Sequence, residues 1–457
     1  MQVRITARND DGRGRGKTGR RTALVSGAHP GEEVTVRVDR TTRNTVQGRV
    51  GRLLVRSPRR CEHPCRHEFH CTGCPLLAAD PDDERRFKTE RVLAALETVA
   101  AELPGAVRRL VRPTEPFGYR AYAKQVFTRF GGRTVLGSYI AGTHWVTDNR
   151  GCPVLVPELA RLLDRVADTA ERLRLPLSTA DTGGHRRGLR YAVARHSLAD
   201  RKQLLIVVTD PTPEPAAAAP PAGERGDLPA AAAELCRQVA AHHRTLAGAH
   251  VVVAGDAGNA LLAGELVAVH GDRYLAEEVL GYRHRVGARS FFQVNPTAAA
   301  AMFALACDAA GDGDRCVELY AGVGALTLPL SDRFARVVAV ERDADAVASL
   351  AATARDYERT GIEPRQQPAE DDIGELLAAE QPQVVVLDPP RKGAGDPVMA
   401  AVARSSASRV VLIHCEPSAL ARDLKPLLAG GYHVDWAVPV DPFPRTAHVE
   451  AVTLATR

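Results

Sequence analysis

From about residue 296 onward, short apolar runs alternate with helix-length segments, and this alternation narrows the fold more than any other feature. RCVELY, RVVAVE, QVVVLD and RVVLIHC read as strand cores. Residues 325–333, 343–358, 395–404 and 417–430 read as the helices between them, and YHVDWAVPV and HVEAVTLATR as two final strands. Apolar strands separated by helices need both faces covered, which predicts an α/β, doubly wound, mostly parallel sheet.

Ligands of such sheets bind at the carboxyl ends of the strands. In CVELYAGVGALTL, Gly322 and Gly324 form a turn between strand and helix, where a missing Cβ lets backbone approach a ligand. The next strand ends in Glu341, placed to accept hydrogen bonds from ribose hydroxyls. A dinucleotide fingerprint wants a third glycine where Thr327 stands, so S-adenosylmethionine, which has no pyrophosphate, is the better ligand. A glycine turn kept only for tight packing is the alternative. QVVVLDPPRKG ends a strand at Asp388 and stiffens the adjoining loop with Pro389 and Pro390. RVVLIHCEP ends one at Cys415, placed for nucleophilic work, with a buried structural thiol as the plainer reading.

The first 60 residues differ. They carry fifteen Arg and Lys against five acids, a surplus of ten on a chain whose net charge is +5, so the remainder is acidic by five. VRITA, RTALV, EEVTVRVDR and QGRVGRLLV read as short strands between glycine-rich turns, a small barrel of OB-like size. A compact basic barrel suits a polyanion. Between barrel and sheet lies a β-rich middle region. It has helices at 82–102, 156–175 and 230–245, a hairpin in ARHSLADRKQLLIVVTD, and a Pro/Ala-rich insertion near 211–230. At 45% apolar and 25% charged residues, disorder of the whole chain is excluded. No run of about 18 apolar residues reads as a membrane helix. No secretory signal is visible in the first twenty residues, so a cytoplasmic, reducing compartment is expected for the nine cysteines. Cys61, Cys65, Cys71 and Cys74 crowd into fourteen residues, a pattern that points to metal binding or catalysis rather than disulfides. On donor chemistry alone, zinc and an iron–sulfur centre are equally open, with His63, His67 and His70 as further donors.

FFQVNP (291–296), VELYAGVGALTLPL (317–330), VVAVE (337–341), LDPPRKG (387–393), HCEPSALARDL (414–424) and FPRTAHVEAV (443–452) together resemble the successive motifs of TRAM-domain RNA uracil-5-methyltransferases. RITARNDDGRGRG, HPGEEVTVRV and SPRR resemble the TRAM barrel, and CRHEFHCTGC (65–74) with GCPVL (151–155) resembles that family's iron–sulfur segment. The resemblance runs through the whole chain in order. It implies Cys415 as nucleophile and Glu450 as proton-abstracting base. It implies Gln293, Tyr320, Glu341 and Asp388, beside Gly322 and Gly324, as contacts of S-adenosylmethionine or the base pocket. It implies Cys65, Cys71, Cys74 and Cys152 as ligands of a [4Fe–4S] cluster, with zinc as the alternative. The cluster resembles the rRNA-modifying branch more than the bacterial tRNA branch. Departures are Ala325 and His414, where relatives carry Asn and Ser, and missing asparagines after Glu341, which leave Glu370 or Asp371 as candidates for the adenine contact.

The chemistry asks for the same two groups. C5 of uracil is a poor nucleophile, whereas a thiolate added at C6 turns C4–C5 into an enolate that can attack a methyl sulfonium. A carboxylate then removes the C5 proton and the thiolate leaves. The expectation is therefore three parts: a TRAM-type OB-like barrel (1–58), a β-rich middle domain with the cysteines (59–285), and a Rossmann-like methyltransferase domain (286–457). The expected enzyme is monomeric and acts on a uridine of structured RNA, rRNA before tRNA, flipped from its stack. The rivals are a tRNA enzyme of the same kind, a small-molecule or cytosine methyltransferase, and a non-catalytic RNA-binding protein with a decayed core.

Overall fold

The computed structural model describes residues 1–181, 184–211, 227–254, 262 and 264–457. Most of the expected Pro/Ala-rich insertion (212–226) lies outside the described residues. The chain divides into two compact units: Met1–Ala79 with Phe117–Leu275, and Asp80–Pro116 with Ala276–Arg457.

The first unit opens with a closed five-stranded barrel in the order Gln2–Arg8, Gly14–Thr18, Arg21–Ser26, Thr45–Val55, Glu33–Thr41. Period-2 alternation sends Val3, Ile5, Val25, Val34 and Val50 into its core. Closure brings strands so near that a Cβ on Gly16 would lie 2.3 Å from the Arg4 carbonyl oxygen, which is why glycine stands there. Beyond the last strand Arg60 is buried, with Nη1 2.9 Å from both Glu32 oxygens and Nη2 3.0 Å from the Gly27 carbonyl and bonded to Glu68. That ties the barrel to the cysteine-bearing stretch. The rest of the unit is a seven-stranded sheet running Leu266–Gly271, Leu246–Val253, Gln203–Thr209, Leu189–His196, Tyr122–Phe130, Arg133–Tyr139, Val146–Asp148. Helices Pro157–Arg172 and Leu228–His242 bury Leu159, Leu162, Val166, Leu235 and Val239 in its core.

The second unit is an α/β sheet of seven strands in the order Ile362–Gln366, Phe334–Glu341, Gly313–Leu319, Val384–Leu387, Arg409–His414, Glu450–Thr456, His433–Val440. The first five are parallel; Glu450–Thr456, inserted beside Arg409–His414, runs antiparallel to both of its neighbours. Val317, Leu319, Val338, Val385, Val410 and Leu412 are fully buried, as strands covered on both faces require. The direction of progression reverses at Gly313–Leu319 and Val384–Leu387, which puts the crevice at their carboxyl ends.

Three details differ from the sequence reading. The helix expected at 325–333 is a single turn, Thr327–Leu330, because Pro329 and the tight glycine turn leave no room for more. A strand, Ile362–Gln366, and a helix, Ile373–Glu380, stand where neither was expected. The helix expected at 82–102 runs Pro81–Glu97, capped by Asp80, whose carboxylate accepts from the Asp82 and Asp83 N–H groups, and it belongs to the second unit. Among the described residues no helix is long and apolar enough to cross a membrane.

Candidate active site

His414 pairs with Ala451 across the antiparallel ladder, so the next residue on one strand, Cys415, and the preceding one on the other, Glu450, meet at the sheet's carboxyl edge. Burial pushes the Cys415 thiol up to about 11; the charges of Glu450 and Asp388 add to this and the Arg391 guanidinium opposes it. Glu450 is 3% exposed, and among the described residues its Oε2 has no hydrogen-bond partner. Burial and then the charge of Asp388 push it up to about 8, again against Arg391. Asp388, half-buried at its strand end, is pushed up to about 7 by desolvation. Buried Glu318 is pushed up to about 8 by burial, with Asp388 and Glu341 adding. Perturbed acids beside one thiol at a strand-end crevice make this group the candidate active site.

The glycine turn adjoins this group. Gly322 (φ +56°) faces open space where a Cβ would project, whereas a Cβ on Gly324 (φ +86°) would lie 2.2 Å from Leu350 Cδ1. Glu341 accepts from the N–H of Gly322 at 2.9 Å and of Asp343 at 2.8 Å, so the acid expected to bind ribose also holds the turn. Tyr320 keeps a left-handed φ of +65°, and burial, then the charges of Glu370 and Asp423, push its hydroxyl up to about 12. Gln293 is half-buried just before the helix Pro296–Ala310. The preceding pair divides: Phe291 is 74% exposed and Phe292 is buried. Of the adenine-contact candidates, Glu370 stands 3.8 Å from Lys392 and the Asp371 carbonyl accepts from Gln367. An open position at Gly322 beside the Glu341, Glu318 and Asp388 carboxyls fits a nucleoside bearing a cationic sulfonium and an ammonium group.

Sequence reading left three residues of this site unassigned. Arg391 and Glu318 lie inside motifs already quoted, but nothing local says that one guanidinium faces the thiol or that the acid is buried. Asp423 is the third. Its carboxylate accepts from His414 Nε2 at 2.8 Å and from the N–H of Ala394 at 2.7 Å and Gly395 at 3.1 Å. It therefore joins the strand that ends at Cys415 to the loop carrying Arg391, and this gives His414, the departure from Ser, a partner.

In the first unit, the thiols of Cys65, Cys71, Cys74 and Cys152 lie within one another's electrostatic reach. Burial pushes Cys71 up to about 11, against a hydrogen bond from the Gly73 N–H, with Cys152 and Cys65 adding. Cys152 is brought in by its loop, whose Arg150 carbonyl is 2.6 Å from Arg66 Nη2 and 2.8 Å from His67 Nε2. Cys61 instead directs its thiol toward the Arg59 carbonyl, and His63 faces Glu68 at 3.2 Å. Among the described residues no three His, Cys, Asp or Glu side chains form a group that could hold a single metal ion.

Residues 1–50 match the TRAM domain family and residues 267–363 the tRNA (Uracil-5-)-methyltransferase family. The 23S rRNA (uracil(1939)-C(5))-methyltransferase RlmD of Pectobacterium carotovorum is 31% identical over 474 residues, covering 99% of this chain and 93% of its own. An uncharacterized RNA methyltransferase of Thermotoga maritima is 31% identical over 442 residues, covering 95% and 94%. Among solved structures, the Pyrococcus abyssi tRNA (uracil-54, C5)-methyltransferase in complex with S-adenosyl-L-homocysteine superposes with a TM-score of 0.75 at 21% identity over the full length of both chains, a likeness of fold.

Proposed function

The chain belongs to the TRAM-containing, S-adenosylmethionine-dependent RNA (uracil-5-)-methyltransferases, and from that premise we propose that it methylates C5 of a uridine in large-subunit rRNA through a covalent Cys415–C6 adduct. The observation that carries this reading is one thiol and one buried carboxylate, whose Oε2 has no hydrogen-bond partner among the described residues, brought together at the crevice with Arg391 acting on both. Arg391 favours the thiolate, which adds to C6 and moves the C5–C6 electron pair toward an enolate. Bound S-adenosylmethionine supplies an electrophilic methyl group for C5. Glu450 takes the C5 proton; the released pair restores C5–C6 and breaks the C6–sulfur bond, returning the thiolate. Gln293, Tyr320, Gly322, Gly324, Glu341 and Asp388 line the cofactor and base pocket. Residues 1–58 serve as the RNA-binding barrel, the rest of the first unit as the middle domain, and the second unit, which joins Asp80–Pro116 to Ala276–Arg457, as the catalytic unit of a cytoplasmic monomer. Phosphate contacts by the basic barrel carry most of the RNA affinity.

The full-length likeness to the rRNA enzyme favours rRNA; the name of the matching family and the archaeal neighbour favour tRNA as the second reading. Tritiated methyl transfer to unmodified rRNA and tRNA offered separately decides between them. Label in 5-methyluridine from rRNA is expected; label from tRNA alone overturns the rRNA assignment.

Cys65, Cys71, Cys74 and Cys152 would hold a [4Fe–4S] cluster, since four thiols and no committed histidine suit iron–sulfur ligation. Its role here is to brace the loops of the first unit. Anaerobically purified protein should absorb in the visible range with about four irons per chain; colourless protein carrying one zinc would refute the cluster.

Glu450 must be ionised to accept a proton, and its value stands near 8. Single-turnover methylation, which needs the Cys415 thiolate, should go on rising with pH toward about 11, whereas release of methylated RNA from the adduct, which needs Glu450 ionised, should rise with pH and level off above about pH 8. Stability runs the other way. A carboxyl raised from 4.5 contributes stability that is full below 4.5 and lost as pH rises through about 8. A release rate flat up to pH 8 would count against Glu450 as the base.

A further inference from the structure

The helix Pro81–Glu97 comes early in the chain, yet it packs in the catalytic unit against the segment that leads into Glu450. Lys88 on this helix is fully buried, a rare position for a lysine. Its Nζ meets three acceptors: Glu84 Oε1 at 3.0 Å, Asp441 Oδ1 at 2.5 Å and the Phe443 carbonyl at 3.0 Å. Arg112 closes the network, with Nε donating to Asp441 Oδ2 at 2.7 Å and Nη2 3.1 Å from Glu84 Oε2. Glu84 Oε1 also accepts the N–H of Arg445 at 2.6 Å. Arg445 holds a φ of +69°, a conformation that non-glycine residues keep only where their surroundings enforce it. One turn along the helix, Arg91 Nη1 donates to the Ala447 carbonyl at 2.7 Å and Nη2 to Glu416 Oε1 at 3.1 Å. Ala447 lies three residues before Glu450, and Glu416 directly follows Cys415.

Buried ion networks are poor stabilisers compared with apolar packing of the same volume. What this one supplies is geometry: it fixes 441–447 at Asp441, Phe443, Arg445 and Ala447, and Arg91 touches the approaches to both base and nucleophile. We propose that Pro81–Glu97 is a positioning element for the catalytic base, with Lys88 and Arg91 setting the placement of Glu450 relative to Cys415. This rests on the roles given above to those two residues.

The base acts after methyl transfer, when C5 carries both hydrogen and methyl and sulfur is still bound to C6. A misplaced base therefore slows proton removal and leaves the RNA attached. Arg91→Ala, at a partly exposed position, should fold with the wild-type melting temperature and bind S-adenosylmethionine normally. Its kcat should fall about 10- to 100-fold with KM for RNA within about twofold. A larger fraction of the chain should run as an SDS-stable, methylated RNA adduct. Lys88→Met, scored only where it folds, should act in the same sense. Glu450→Gln runs on the same gels as the reference. If it traps an adduct and Arg91→Ala neither slows nor traps, the positioning role falls alone. If Arg91→Ala slows turnover without adduct, its effect is structural and the proposal fails. If Glu450→Gln itself traps nothing, the base assignment falls and takes this proposal with it.

Discussion

Cys415→Ala is expected to abolish methyl transfer, a loss of roughly 10⁴-fold or more, while leaving the fold and S-adenosylmethionine binding intact. The size of the effect follows from the substrate. Without sulfur at C6 the uracil ring presents no carbon nucleophile at C5, and no other thiol stands at this edge: Cys307 and Cys316 are buried in the apolar core of the sheet. Substitution removes a half-buried side chain at a strand end, so the cavity is small and the melting temperature should shift little. Arg391, whose charge acts on the thiol, still has Glu450 within reach of its charge. Tritium counting of rRNA methylated by the variant, beside calorimetric binding of the cofactor, separates loss of chemistry from loss of binding. An SDS-stable RNA adduct formed by Cys415→Ala would sink the nucleophile assignment.

Glu450→Gln is expected to stop the reaction one step later. The amide has nearly the same shape but cannot take the C5 proton. Addition and methylation proceed once, the C6–sulfur bond persists, and methylated RNA stays on the protein. Turnover should fall about 10²- to 10⁴-fold, the range a positioned base contributes. The same change removes an acid that burial and Asp388 hold near 8, so at pH 8 and above the variant should be at least as stable as the parent. A variant that turns over normally, or that loses activity without retaining RNA, would contradict the role of base.

Much of this site could be read from residue order. Apolar strands ending in Gly322, Glu341, Asp388 and Cys415 announced a crevice, because a parallel sheet must put those strand ends side by side. The basic barrel was legible for a similar reason: period-2 burial and glycine turns repeat every few residues. What escaped was non-local or weakly patterned. Ile362–Gln366 reads IEPRQ, with a proline and three polar residues, and is a strand because it lies at the sheet's edge. Pro81–Glu97 was recognisable as a helix from its cap and first-turn acids. Its place beside Glu450 depends on Lys88 meeting Asp441 across 353 residues, which no local pattern records. Arg391 and Glu318 stood within quoted motifs, yet only the folded sheet shows that one faces the thiol and the other is buried.

The central claim is a covalent bond between Cys415 and C6 of a uridine on the way to a C5 methyl group. It is tested most directly with rRNA containing 5-fluorouridine, whose C5 fluorine Glu450 cannot remove as a proton. After incubation with S-adenosylmethionine, digestion and mass spectrometry should find one cross-linked peptide. That peptide should join Cys415 to a nucleotide that has gained a methyl group. Methylated RNA with no cross-link, or a cross-link on any other residue, would contradict the account.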